Sequence, residues 1–422
     1  MSDHESAQRD RFVHDRLPSP DAWPEIVQLP GVPLKDPLNC ISFLLEKHLG
    51  TETAQRPAIL SGDRRWTYDG LGDRVSRIAD LMRQDHGIKP GNRVLIRGAN
   101  SPEVAAIWLA IQKIGAVAVT TMSLLRAAEL QTIIEMAQPA LAFCEDVLTD
   151  DLDAACSRLT SPLPAICYGA ECGELYALIA NRPGAVQTCP TMADDISLIA
   201  FTSGTTGKPK ATVHFHRDVL AICETVSRHI VRPQGDDVFI GTAPLAFTFG
   251  LGGLLVFPLY AGACTVLNGR YTPEELLGAI DRYKASVCFS VPTFFQQMLM
   301  HDGARTLARL RLAVSSGEAL PLPTREAWQA ATGTALTELL GSTEMLHAFA
   351  GAAGDAIRAG FIGPAFPGYE LAILDDAGAP LPAGEIGRLA VKGPTGCRYL
   401  DDPRQGDYVQ QGWNLTGDAC SM

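Results

Sequence analysis

An α/β fold is what this sequence of 422 residues predicts: two α/β subdomains with parallel-rich sheets, then a small antiparallel or barrel-like unit. Three observations carry that reading. Between Ala58 and Cys144, short apolar runs alternate with helical periodicities, the βαβα rhythm of a parallel sheet covered by helices on both faces. Near Asp194 a second α/β block begins, and it contains a strand that runs into a loop dense in glycine, threonine and lysine. Near Gly360 the texture changes to short alternating strands split by turns.

Taken in order, residues 1–40 read as an irregular, proline-rich lead (Leu17-Pro-Ser-Pro20, Leu29-Pro30, Val32-Pro33). Thr67 is placed to cap a helix on which Leu71, Val75, Ile78 and Met82 fall at helical spacing, until Gly87 and Pro90 stop it. Residues 93–97 are an apolar strand. Ser101-Pro102-Glu103 then supplies a capping serine, a proline at the first helical position and a first-turn acid. Strand 116–121, helix 125–138 and strand 140–144 complete the first block, set at residues 50–190. A linker at 187–195, marked by Pro190 and a pair of acids, leads to the second block, residues 191–358. Residues 359–422 form the barrel-like unit, with strands in 369–374 and 387–392 and a turn at Asp375-Asp-Ala-Gly378.

Composition narrows the function. Hydrophobic residues make up 46% and charged residues 19%, which describes a globular chain rather than a disordered one. Forty-seven acids against 35 bases give a formal charge of −12, which argues against nucleic acid as the main partner, since phosphate backbones need basic stripes. Eleven cysteines without a C-x-x-C pair read as reduced thiols of a cytoplasmic protein. The polar N-terminus shows no signal peptide. Residues 238–269 carry no charge over 32 positions, long enough to cross a bilayer. Pro244, Pro258 and several glycines interrupt them, so a buried helix flanked by core strands is expected, and no membrane partner.

The chemistry concentrates in Phe201-Thr-Ser-Gly-Thr-Thr-Gly-Lys-Pro-Lys210. Gly204 and Gly207 free the backbone to turn and approach a ligand closely. Thr202, Ser203, Thr205 and Thr206 add hydroxyls, and Lys208 and Lys210 add ammonium groups, to a nest for nucleotide phosphates. The glycine spacing is not that of a Walker loop. Downstream, Leu312-Ala-Val-Ser-Ser-Gly-Glu-Ala-Leu-Pro321 is an apolar strand ending in a turn. On chemistry alone that turn is a plain connection or a surface for a flat ring. In Thr337-Glu-Leu-Leu-Gly-Ser-Thr-Glu344, Ser342 and Thr343 can bond phosphate oxygens and Glu344 can hold Mg²⁺. Standing alone, the same tetrapeptide is equally a serine-capped helix start. Thr416-Gly417-Asp418 in isolation is a turn.

In this order, the four segments resemble the adenylate-forming superfamily of acyl-CoA synthetases, peptide-synthetase adenylation domains and luciferases, from about residue 50 onward. The resemblance implies that family's large domain: two α/β subdomains plus a distorted β-barrel. It implies an ATP/AMP site of Thr202, Ser203, Gly204, Thr205, Thr206, Gly207 and Lys208, with adenine packed on Gly317, Glu318 and Ala319. Glu338, Leu339, Leu340, Gly341, Ser342 and Thr343 line the same site, and Asp418 binds the ribose hydroxyls. Thr205, Lys210, Thr343 and Glu344 are the implied catalytic set, with Glu344 on magnesium. Leu340 departs from the pattern, standing where the family has tyrosine. Ala243-Pro-Leu-Ala-Phe-Thr-Phe-Gly250, the Val213–His216 stretch and Ser342-Thr-Glu-Met-Leu-His347 look like benzoate-type ligases, most closely 2-aminobenzoate (anthranilate)–CoA ligases. Phe247, Thr248, Phe249, Gly341 and His347 are then the substrate residues; His214 and His216 are expected to be packed or hydrogen-bonded rather than metal ligands.

The resemblance also implies an activity: ATP-dependent conversion of a small aromatic acid to acyl-AMP and then to its coenzyme A thioester. A peptide-synthetase adenylation domain is the rival, but the aromatic segment lacks the acid that would bind an amino-acid ammonium. A nucleotide-binding module with little turnover is the other. Self-association as a homodimer is left open. The family adds a C-terminal lid domain with a catalytic lysine after the T-G-D segment, and this chain ends at Met422, before it; the expectation is a piece of a longer protein. Asp375-Asp376 and Asp401-Asp402 are read as solvated turn acids.

Overall fold

The computed structural model describes residues 5–29, 31–32, 34–169, 173–202, 208–358 and 360–422. One sheet orders its strands Ala165–Tyr168, Leu141–Glu145, Arg93–Arg97, Val117–Thr121, Ile196–Thr202 and Lys210–Phe215. All neighbours are parallel except the last pair, which is antiparallel. A second sheet runs Ala348–Gly351, Thr337–Gly341, Leu312–Ser315, Val287–Ser290, Val238–Gly241, Cys264–Val266, Pro57–Ser61 and Arg64–Thr67. It is parallel except at its two edges. The sheets do not divide the chain at one point. The early hairpin of Pro57–Ser61 and Arg64–Thr67 joins the second sheet, and the two strands around residue 205 join the first.

The capping signals account for the helices between them. Thr67 accepts from the Gly70 N–H and opens Tyr68–Gln84; Ser101 accepts from Val104 and opens Pro102–Lys113. Every residue of Pro102–Lys113 is buried, because this helix packs on Arg93–Arg97 and Val117–Thr121 from one sheet and on Pro57–Ser61 from the other. Its charged and amide side chains find partners, as burial demands, while the Trp108 indole N–H has none among the described residues. Glu103 accepts from Arg64 and Tyr176, Gln112 joins Ser197, and Lys113 donates to Glu46 and Thr188.

The uncharged stretch is core: strand Val238–Gly241, a helical run over residues 248–261 and strand Cys264–Val266. Among the described residues no helix is long and apolar enough to cross a membrane. The C-terminal unit is a curled antiparallel sheet ordered Glu370–Leu374, Gly387–Lys392, Trp413–Cys420, Val409–Gln410. The proline-rich lead lies against the body, with Asp10 paired to Arg93 and Ile26 bridged to Gly393.

Candidate active site

Strands Leu312–Ser315 and Thr337–Gly341 run parallel, and both deliver their C-terminal ends to a cavity of about 660 Å³. Carboxyl ends of parallel strands are where open α/β sheets bind ligands. Gly317, Glu318 and Ala319 line it from the first strand, and Glu338, Leu339, Leu340 and Gly341 from the second. Phe361, Ile362 and Asp418 close it from the C-terminal side. Three of the four motif segments thus meet at one wall, though about a hundred residues separate them in the chain.

The wall is braced by polar contacts. Ser316 Oγ donates to the Leu339 carbonyl (2.9 Å). Glu338 accepts from the Leu320 N–H (2.8 Å) and from Arg325 (2.7 Å), so both carboxylate oxygens are engaged in holding the turn, and Glu338 shapes the cavity. Asp418 sits on a bulge: between the pairs Ala390↔Leu415 and Arg388↔Ala419, the strand carrying it has two more residues than its partner, with Gly417 at φ +87°. The bulge re-aims Asp418 to the cavity mouth, where it is exposed.

Ser342 to His347 form the tip of a hairpin between Thr337–Gly341 and Ala348–Gly351. Thr343–Met345 is one 3₁₀ turn, capped by Ser342 Oγ on the Met345 N–H, and Leu346 takes φ +64°. Glu344 is buried, and Tyr399 Oη donates to its Oε1 (2.5 Å). Its Oε2 has no protein partner among the described residues. No cluster of three His, Cys, Asp or Glu side chains able to hold a metal occurs among them. A single carboxylate with one free oxygen fits Mg²⁺ arriving with phosphates, because that ion keeps its waters and takes one or two carboxylates plus phosphate oxygens.

Ser203, Gly204, Thr205, Thr206 and Gly207 lie outside the described residues. Both feet of their loop are described. Thr202 pairs with Lys210 across the hairpin, and Lys210 Nζ donates to Tyr399 Oη (3.2 Å). Lys208 is exposed, and its carbonyl and that of Pro209 accept from Arg404. Asp402 grips Arg404 and has only 7% of its side chain exposed, which corrects its reading as a solvated acid. Tyr399 and Arg404 are residues the sequence reading missed; no local motif marks them, since Tyr399 meets Lys210, and Arg404 meets Lys208 and Pro209, across some 190 residues.

Phe247 is 41% exposed and precedes the short helix Thr248–Leu251. Thr248 is buried. Phe249 turns inward and meets His347 (ring centres 5.7 Å) and Phe289 (5.4 Å), while Phe257 stands edge-on to His347 at 4.8 Å. His347 is 2% exposed. Its Nε2–H donates to the Phe249 carbonyl (3.3 Å), which leaves Nδ1 as a lone-pair acceptor with no partner among the described residues. Burial pulls its pKa down to about 4, only partly offset by the Phe249 carbonyl, so the ring is neutral at pH 7. His214 donates to the Thr343 carbonyl, and His216 accepts from the Cys40 N–H; both are hydrogen-bonded, as expected.

Residues 45–398 match the AMP-binding enzyme family. Over 400 residues the chain is 30% identical to a benzoate–CoA ligase of Thauera aromatica, across 92% of this chain and 75% of that one. Among solved structures, the anthranilate CoA ligase AuaEII in complex with anthranoyl-AMP superposes with a TM-score of 0.87 at 28% identity, over 92% of this chain and 75% of its own. A benzoate CoA ligase from Burkholderia xenovorans LB400 gives 0.84 at 28% identity, over 90% and 77%.

Proposed function

The chain belongs to the AMP-binding enzyme family, and we propose that it is an aryl-acid–CoA ligase whose preferred acid is 2-aminobenzoate, with benzoate second. In the first step the acid's carboxylate attacks the α-phosphorus of ATP, giving acyl-AMP and pyrophosphate. In the second the coenzyme A thiol attacks the acyl carbonyl and AMP leaves. The protein's part in the first step is positioning and charge neutralisation. Adenine rests on Gly317–Ala319, Asp418 takes the ribose, and Thr202, Ser203, Thr205, Thr206, Lys208 and Thr343 hold the phosphates, with Lys210 at the loop's foot. Magnesium held by Glu344 would neutralise phosphate charge.

The observation that carries the choice of acid is the Nδ1 of His347, a neutral acceptor beside Phe249 that has no partner among the described residues. Aromatic faces favour a flat ring, and an ortho-amino group brings the donor that Nδ1 lacks. Benzoate has none. The test is pyrophosphate release by wild type and His347→Ala with 2-aminobenzoate, benzoate, 4-hydroxybenzoate and hexanoate. The variant should lose about 1–3 kcal/mol with 2-aminobenzoate and much less with benzoate. If hexanoate is the best substrate the aromatic slot is wrong. Equal losses on both benzoates would make His347 a wall that does not read the amine.

A further inference from the structure

Glu344 sits at the tip of a hairpin, and nothing within the hairpin fixes its carboxylate. The support comes from elsewhere. Residues 398–400 lie along the strand Lys210–Phe215: the Val213 N–H donates to the Arg398 carbonyl (2.8 Å), the Leu400 N–H donates to the Ala211 carbonyl (2.9 Å), and Thr212 bridges Tyr399. This pairing sets Tyr399 beside Lys210, whose ammonium is 3.2 Å from the phenol oxygen and 5.0 Å from the ring centre. An ammonium only donates, so the Tyr399 oxygen accepts, and its own proton points to Glu344 Oε1, 2.5 Å away. The donor direction is fixed from Lys210 through Tyr399 to Glu344. One carboxylate oxygen is committed, and the other has no partner among the described residues.

Lys210 and His214 are four apart on one strand and share a face. From that face His214 Nε2 donates to the Thr343 carbonyl (2.8 Å). The ring is wholly buried and its Nδ1 is 3.5 Å from Asp218. Asp218 accepts from the Phe215 N–H (3.0 Å) and lies 3.6 Å from the buried Arg398. The backbone of the turn and the carboxylate it carries are therefore both braced by one strand and the segment paired to it.

We propose that Tyr399 is a positioning residue of this site, aiming Glu344 at the divalent cation and phosphates of the nucleotide, and that His214 fixes the backbone of the same turn. The proposal rests on the role given to Glu344 above. Tyr399→Phe removes the hydroxyl and keeps the ring, which packs edge-on against Tyr408 at 5.8 Å. The measurement is calorimetric ATP affinity with and without Mg²⁺, in the absence of any acid so that no turnover occurs. Tyr399→Phe should lose about tenfold of the affinity gained from Mg²⁺, the scale of one hydrogen bond to a charged group, with metal-free ATP binding within about twofold of wild type. His214→Ala should lose part of the same gain and His214→Gln, which keeps a donor, should retain it; this pair decides the matter if Tyr399→Phe does not fold. Glu344→Gln is the reference. If it retains the Mg²⁺ gain, the role of Glu344 is wrong. If it loses the gain while Tyr399→Phe and His214→Ala keep it, the positioning proposal is overturned. A loss of metal-free binding as large as the loss with Mg²⁺ would overturn it too, making these residues mere walls.

Discussion

Burial takes the imidazoles of His347 and His216 out of water and pulls their pKa values from 6.5 to about 4 and about 3. An unfolded chain has no such penalty, so between pH 6.5 and pH 4 the unfolded state binds protons that the folded state refuses. Stability is then complete above pH 6.5 and is lost as the pH falls towards the folded values. A shift of this size for His347 corresponds to about 3 kcal/mol at pH 4. His347→Gln should therefore flatten the fall of urea-unfolding free energy between pH 7 and pH 4 by that order. An unchanged slope would mean that the ring is protonated in the folded state. That outcome would also remove the neutral acceptor on which the choice of 2-aminobenzoate depends.

At the scale of elements, the helical run over residues 248–261 approaches the Thr337–Gly351 hairpin closely because Gly252 has no side chain. A Cβ there would lie 2.4 Å from His347 Cδ2. Gly252→Ala must push the imidazole or the helix aside, an overpacking cost of about 1–3 kcal/mol in the core. Thermal unfolding should report that loss, and the affinity for the aromatic acid should weaken more than that for ATP; a variant as stable as wild type would show that the helix can shift freely. The elements themselves were legible. Thr67 and Ser101 announce their helices through capping chemistry, and 93–97 and 140–144 are apolar runs too short for anything but strands. Three of the four motif segments meet at the cavity, but the loop at 203–207 lies outside the described residues. Sheet membership was not legible, because a strand's partner is chosen by contacts distant in sequence that leave no local mark. Pro57–Ser61 pairs with Cys264–Val266, and 398–400 lies on Lys210–Phe215. For the same reason Tyr399 and Arg404 escaped notice: each is defined by partners some 190 residues away.

For the molecule as a whole, the cavity is a junction. Its floor comes from the second sheet through residues 316–320 and 338–341, and its rim from the C-terminal unit through Phe361, Ile362 and Asp418. The strands on either side of the proposed phosphate loop, Ile196–Thr202 and Lys210–Phe215, belong to the first sheet. On the proposed reading a nucleotide seated here would touch all three units, and its binding energy would add to the stability of every opening that separates them. Hydrogen exchange with and without MgATP tests this directly. Amides in 316–320, 338–341 and 416–420 should slow together, along with those of 208–212 at the foot of the loop. The helix Tyr68–Gln84, which packs at the opposite edge of the second sheet on Pro57–Ser61 and Arg64–Thr67, should change little. Asp418 supplies the sharper contrast: it is exposed at the rim, so Asp418→Ala should leave the fold intact and reduce the protection that MgATP gives to 316–320. Protection confined to the loop's foot, with 316–320 and 416–420 exchanging as in the free protein, would mean that phosphates bind without the nucleoside entering the cavity, and the assignment of the 660 Å³ cavity to adenosine would fall.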